Sequence, residues 1–224
     1  PGGGRGGMLA PMSEGNAPDP DLEALQQAGE DRDQRLGELF ERHRRRLQRM
    51  IELRMDPALR QRVGASDVLQ EAWLEISSRL GSYLEQPNMP FFLWIRFITA
   101  QRLLKLHRHH AGTKKRDVKR QVPVDRRGFP EATSAGIADQ LAASGISPSG
   151  VALEAELRLQ LEDALESMTP DDREVLVLRH FEELSNAEAA RELGIKPDAA
   201  SKRYLRALER LRKVIAAPGA GGAS

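Results

Sequence analysis

SNAEAARELGIKPDAASKRYLR, residues Ser185–Arg206, decides how this chain is to be read. Ser185 and Glu188 have the spacing of a capping box, in which each side chain satisfies the other's backbone N–H. Ala190 is small enough for two helices to cross closely. Four residues on, Gly194 permits the positive φ that a tight turn demands. Pro197-Asp198 then opens a second helix that runs to about Ile215. Leu193, Ile195, Ala200 and Leu205 are expected to seal the pair against the helix before. Arg203 and Arg206 lie three apart, while Lys202, Arg206 and Arg210 follow at four-residue steps, so each set shares a face. This is the layout of a helix-turn-helix, whose second helix enters the DNA major groove. An ordinary helical hairpin has similar spacing, and charge separates the two readings. Residues 154–192 carry twelve acidic and four basic side chains, whereas 196–213 carry seven basic and two acidic. Such a dipole turns one end of a small domain toward phosphates.

Working outward, Thr169-Pro170-Asp171-Asp172 supplies an N-cap, a first-position proline and early acids for the preceding helix, with Val175, Leu176, Leu178 and Phe181 on its core side. Before it, Val151–Met168 places Leu153, Leu157, Leu161, Leu165 and Met168 on one face. Residues 151–215 therefore read as a four-helix domain, followed by a tail over 216–224. Residues 111–150 lose periodicity and read as a linker, with a short helix near Ile137–Ala143. As free coil this linker would span about 35 Å, close to the roughly 34 Å of one DNA turn.

Residues 31–110 form a second helical domain. Its first helix, about Asp31–Arg54, has Leu36, Leu39, Phe40, Leu47, Met50 and Ile51 as its apolar stripe and ends at Asp56-Pro57. The next starts after Ser66 as N-cap and buries Val68, Leu69, Ala72, Ile76 and Leu80, leaving Asp67, Gln70, Glu71 and Glu75 outside. Gly81–Pro90 reads as a loop. The third helix, about Pro90–His110, crowds Phe91, Phe92, Trp94 and Phe97 into its first half, and Arg96, Arg102, Lys105 and Arg108 follow. Phe92 and Ile95 are expected in the core, and Trp94 is expected at best half exposed. Residues 1–30 read as a disordered extension, with Met8 or Met12 as candidate starts.

The fold class is thus all-α, with two small helical domains joined by a flexible linker. The absence of cysteine excludes disulfides and cysteine-ligated zinc and suits a reducing cytoplasm. No apolar run approaches the ~18 residues of a membrane span. His107 and His110 share a helical face, but no acid stands at ligand spacing, so a metal is not expected. There is no Gly-rich phosphate loop, nucleophile motif or HExxH, hence no catalytic constellation, cofactor or small-molecule substrate.

The two domains together resemble the extracytoplasmic-function group of bacterial RNA polymerase sigma factors, which keep only the second and fourth conserved sigma regions. SDVLQEAWLEI (Ser66–Ile76) is similar to the family's D-x-V-Q-E-x-F/W stretch, and FFLWIRFITAQRLLKLHRHH (Phe91–His110) to its W-L-x-x-I-x-x-N-x-x-x-D-x-x-R stretch. MTPDDREVLVLRHFEELSNAEAARELGI (Met168–Ile195) resembles L-P-x-x-x-R-x-V-L-x-L-R-x-x-E-x-L-S-x-x-E-I-A, and KPDAASKRYLRALERLR (Lys196–Arg212) resembles V-K-S-R-L-x-R-A-x-x-x-L-R. Ala200 stands where Val is usual, and Arg102 where Asn is common. The likeness covers about residues 35–110 and 151–215.

The resemblance implies a role for each surface. Asp67, Gln70 and Glu71 match the positions that bind the clamp helices of the polymerase's largest subunit. Trp94, Arg96, Arg102, Lys105 and Arg108 would border the melted promoter, with Tyr83 and Asn88 in the loop that holds a flipped base. Ser201, Lys202, Arg203 and Arg206 would read the upstream element, with Lys196 and Arg210 on phosphates. Core polymerase and promoter DNA are the implied partners, and an anti-sigma factor is common in the family. A stand-alone helix-turn-helix regulator accounts for the second domain but leaves the acidic and aromatic-basic helices unexplained.

Overall fold

The computed structural model describes residues 19–113, 132–141 and 151–216, and these contain helices and no strand. The expected start codons, the tail, and most of the linker lie outside the described residues.

The first lobe begins earlier than the sequence suggests. Helix α1, Pro20–Gln27, lies within the stretch expected to be disordered. Asp19 caps it, accepting the backbone N–H groups of Asp21 and Leu22 at 3.1 and 3.3 Å. The other Asp19 oxygen takes the Phe91 N–H at 2.6 Å, which ties two helix starts to one carboxylate. Leu25 is buried, and Asp21 accepts from Arg42 at 2.7 Å and meets His43 Nε2 at 2.6 Å. The signal was an Asp-Pro cap followed by Leu22 and Leu25, overshadowed by the Gly/Pro-rich residues before it.

Helix α2, Arg32–Arg54, buries the expected stripe of Leu36, Leu39, Phe40, Leu47, Met50 and Ile51. His43 and Arg54 continue that stripe as buried polar residues. A single turn, α3 (Pro57–Arg60), precedes α4 (Ala65–Glu85). The cap of α4 is Gly64, whose N–H donates to Asp67 at 2.9 Å, so the helix starts before Ser66. At its other end α4 runs through Gly81, which shortens the expected loop to the residues just before Pro90. Helix α5, Phe91–Thr113, then packs against α2 and α4.

Helix α6, Ser134–Leu141, lies close to the short linker helix that was expected. Its lead-in Thr133 N–H donates to Leu53 O at 2.9 Å, satisfying a carbonyl at the C-terminus of α2. A Cβ on Gly136 would meet that same oxygen at 3.0 Å, so the approach requires glycine.

The second lobe holds α7 (Val151–Glu166), α8 (Pro170–Leu176), α9 (Asn186–Leu193) and α10 (Pro197–Ala216). Thr169 caps α8 by accepting the Asp172 N–H at 3.2 Å. Leu161, Leu165, Met168, Leu176, Val177 and Phe181 pack with Ala207 and Leu211 of α10. A π-turn, Val177–Phe181, ends α8 and delivers Glu182 into the interior.

The two lobes are in contact. Leu178, Leu184 and Ala189 of the second join the core of the first, and Leu53 of α2 joins that of the second. Between them lies a cluster of buried charge. Arg54, with a fully buried side chain, donates to Glu182 at 2.6 Å and pairs with Glu174. Arg96 pairs with Glu182, and with Glu192 at 2.6 Å. Burial favours neutral carboxyls, but Arg54 and Arg96 hold Glu182 below the usual carboxylate range, while for Glu174 burial prevails and its pKa is raised.

Burial lowers the pKa of both His43 and His107, against the raising effect of Asp21 on His43 and of the Arg54 backbone on His107. Protons therefore bind the unfolded chain more readily, and stability present above the unfolded histidine value of about 6.5 is lost as pH falls. The melting temperature is expected to be lower at pH 5.5 than at pH 7.5, by roughly 2–4 °C for each kcal/mol lost. His43→Gln/His107→Gln should flatten that slope in thermal melts; an unchanged slope would contradict the assignment.

Candidate nucleic-acid and polymerase interfaces

The turn between α9 and α10 is built as the sequence suggests. Ser185 Oγ accepts the Glu188 N–H at 3.2 Å, and Glu188 accepts the Ser185 N–H at 2.7 Å. Gly194 adopts φ +64°, and the N–H of Ile195 reaches Ala190 O at 3.0 Å. Asn186 Nδ2 donates to Pro197 O at 2.9 Å, which pins the start of α10 to the start of α9. Ala190 and Ala200 are both buried at the crossing.

On α10 the outward face carries Lys202, Arg206 and Arg210, with Lys196 exposed in the turn before it and Ser201 half-buried beside them. Arg203 is placed differently from expectation. Its guanidinium donates to Asp171 at 2.8 Å and lies 3.9 Å from Asp172, so it braces α10 against the acidic start of α8. Arg206 lies 3.8 Å from Asp172 with most of its side chain exposed. Arg210 donates to Ser167 O at 3.2 Å. Leu205 was expected in the seal and is 63% exposed. Tyr204 and Ala207 take the packing positions on either side of it.

The outer face of α4 presents Asp67 and Gln70 to solvent, with Glu71 partly covered. Glu71 and Glu75 accept from Arg102 of α5 at 2.9 and 3.2 Å. Leu74 stands on the same face and is 69% exposed. It falls seven residues after Asp67 and four after Gln70, a helical repeat that places it on this face without any charge to mark it in the sequence.

Three of the residues expected at the melted promoter are interior. Tyr83 lies in the last turn of α4, is buried, and donates its hydroxyl to Met89 O at 2.9 Å. Its desolvated phenol is pushed well above the ordinary tyrosine value. Trp94 is buried and stacks on Tyr83, ring centroids 4.2 Å apart and planes 12° from parallel. Arg96 is buried in the ionic cluster between lobes, where the surrounding carboxylates overcome burial and raise its pKa. The physical reason is common to all three. Because α4 continues through Gly81, Tyr83 is carried onto the inner face. Phe91, Phe92, Leu93, Trp94 and Ile95 are all buried, which leaves the first half of α5 without a solvent side. The expected burial of Phe92 and Ile95 is thereby met. Asn88, Lys105 and Arg108 are exposed, and Arg102 is half-buried. Among the described residues no group of three His, Cys, Asp or Glu side chains is placed to hold a metal ion.

A sequence profile for Sigma-70, region 4 matches residues 158–211, the segment that contains the helix-turn-helix. The match to known proteins extends well beyond it. The chain is 32% identical over 178 residues to the RNA polymerase sigma factor CarQ of Myxococcus xanthus, covering 80% of this chain and 87% of that one. It is 30% identical over 184 residues to the ECF RNA polymerase sigma factor SigD of Mycobacterium tuberculosis, covering 82% and 78%. This chain belongs to the extracytoplasmic-function family of RNA polymerase sigma factors. As such a sigma factor it binds core polymerase, recognises promoter DNA and directs the initiation of transcription. Sigma factors are initiation factors rather than enzymes. The fold is shared with CnrH, solved in complex with the cytosolic domain of CnrY, with a TM-score of 0.50 and 20% identity over 88% of this chain and 97% of that one. Among the described residues of this sigma factor, no helix is long and apolar enough to cross a membrane.

Proposed function

We propose that this sigma factor meets core polymerase through the outer face of α4 and promoter DNA through α10 and the C-terminal half of α5. Asp67, Gln70 and Glu71 supply an acidic surface for a basic coiled coil, and Leu74 supplies its apolar centre. Asn88, Arg102, Lys105 and Arg108 serve the downstream element, where strands separate. Lys196 and Arg210 hold upstream phosphates, while Ser201, Lys202, Leu205 and Arg206 face the bases. Arg203 positions α10 through Asp171. The chain performs no catalysis of its own and works beside polymerase in the cytoplasm. An inhibitory protein of the anti-sigma kind fits the same reading, since the structural neighbour CnrH was solved with a protein partner.

The observation that carries the upstream assignment is the exposed face of α10, where Leu205 lies between Lys202 and Arg206. The thymine methyl is the apolar feature of the major groove, and guanine offers a paired acceptor edge to arginine. Arg206→Ala should lower discrimination at one guanine of the upstream element by ~1–3 kcal/mol. Replacing one thymine by deoxyuridine should weaken binding of the wild-type holoenzyme and leave Leu205→Ala unaffected. Arg210→Ala should weaken binding equally on all sequences and flatten its salt dependence. Quantitative promoter binding by reconstituted holoenzyme reads all three. Equal losses on promoter and scrambled DNA for Arg206→Ala and Arg210→Ala would refute this division of labour.

A further inference from the structure

We infer that Arg102 is shared between the two working surfaces of the first lobe: in the free chain Glu71 holds it, and core polymerase, by taking Glu71, releases it to a phosphate of the separated promoter strand. This rests on the docking proposed above and adds that one contact prepares the other. Arg102 sits on α5 and crosses to α4. Its guanidinium donates to Glu71 at 2.9 Å and to Glu75 at 3.2 Å. Glu71 belongs to the acidic face proposed for polymerase. Lys105, three residues after Arg102 and on the same side of α5, belongs to the face proposed for DNA. The two surfaces therefore meet at one ion pair, and neither member serves an outside partner fully while it holds the other.

The pair is built to exchange. Among the described residues Glu71 has Arg102 as its one ionic partner, so a cation arriving on a basic coiled coil competes with that guanidinium alone. Glu75 differs, because Arg79, one turn along α4, also pairs with it and keeps it neutralised when Arg102 leaves. The hold on Arg102 is incomplete as well. Its Nε is buried without a hydrogen-bond partner among the described residues, which disfavours the bound position. The side chains of Arg102 and Glu71 are both partly exposed, so solvent screens their attraction and little is lost when they part. A second cation on Glu71 repels Arg102 at close range. A phosphate backbone running along Lys105 and Arg108 then gives it a new partner. By linkage the effect is mutual: whatever polymerase adds to the grip on DNA, DNA adds to the grip on polymerase.

Titration of the labelled full chain with core enzyme, with and without a single-stranded oligonucleotide carrying the downstream element, reads the exchange. Arg102→Gln removes the cation and keeps a polar side chain. It should tighten core binding by about two- to fivefold, the worth of an exposed ion pair, and should weaken oligonucleotide binding by the holoenzyme. In a Glu71→Gln background, where there is nothing left to release, Arg102→Gln should bring no gain toward core. Arg102→Lys keeps a cation and should retain the oligonucleotide affinity. The oligonucleotide should raise core affinity more for the wild type than for Arg102→Gln. A brace that merely joined α4 to α5 would lose affinity for both partners when cut. Core affinity unchanged or weakened by Arg102→Gln would therefore overturn the exchange. So would an equal gain in the Glu71→Gln background, an Arg102→Lys variant as weak on the oligonucleotide as Arg102→Gln, or equal coupling with and without Arg102. Failure of the wild-type chain to bind core, or undiminished binding by Leu74→Asp, would instead overturn the docking beneath it.

Discussion

Arg54→Ala is expected to destabilise the folded chain by about 3–5 kcal/mol, the usual cost of breaking a buried ion pair from one side. The side chain is wholly buried, and its removal leaves Glu174 with Arg96 3.7 Å away and Glu182 with Arg96 alone. Glu174, Glu182 and Glu192 then share a single guanidinium in a desolvated site, and this lost neutralisation carries most of that cost. Lys213→Ala, which breaks a solvent-exposed pair with Glu209 on α10, should change stability by less than about 0.5 kcal/mol. Chemical denaturation followed by circular dichroism separates the two. Equal, small effects would mean that the cluster is hydrated and that the lobes are only loosely joined.

Leu74→Asp and Asp67→Lys are each expected to weaken assembly with core polymerase by 100-fold or more, about 2.7 kcal/mol. The two act differently. Leu74 offers a large apolar side chain to the middle of the proposed contact, where burial of a single leucine is worth about 1.5–3 kcal/mol. An aspartate there must be desolvated instead. Asp67→Lys turns attraction toward a basic partner into repulsion, a change of several kcal/mol across an interface. Because Asp67 also accepts the Gly64 N–H at the start of α4, Asp67→Asn is the control that keeps the cap and removes the charge. Titration of labelled sigma factor with core enzyme gives the affinities. Undiminished assembly by Leu74→Asp would move the polymerase contact off this face of α4.

Local features were the most legible in the sequence. The capping box at Ser185, the positive φ at Gly194 and the small residues at the crossing of α9 and α10 are each written within a few neighbouring positions, and all appear in the structure. The apolar stripe of α2 was equally plain. Its continuation to Arg54 was a readable clue that a charge would be buried, but its partner Glu182 lies 128 residues away. Nothing in the local pattern of either residue identifies the other, so the contact between lobes was invisible. The aromatic-rich start of α5 failed for a different reason. Its periodicity suggested a face for DNA, yet that half of the helix is enclosed by α2, α4 and the second lobe together. Arg96, Trp94 and Tyr83 thus became structural residues. Arg203 shows the same limit at short range: a basic face can be counted from sequence, but which member turns back to Asp171 depends on how α10 sits on α8.

Assignment of this chain as a promoter-directing sigma factor is open to a direct check by transcription in vitro, with purified chain, core polymerase and a library of genomic fragments, followed by mapping of transcript 5′ ends. It predicts stable association with core and initiation at a defined set of promoters, abolished in the absence of the chain. No association with core at any ionic strength, or starts indistinguishable from those of core alone, would contradict it.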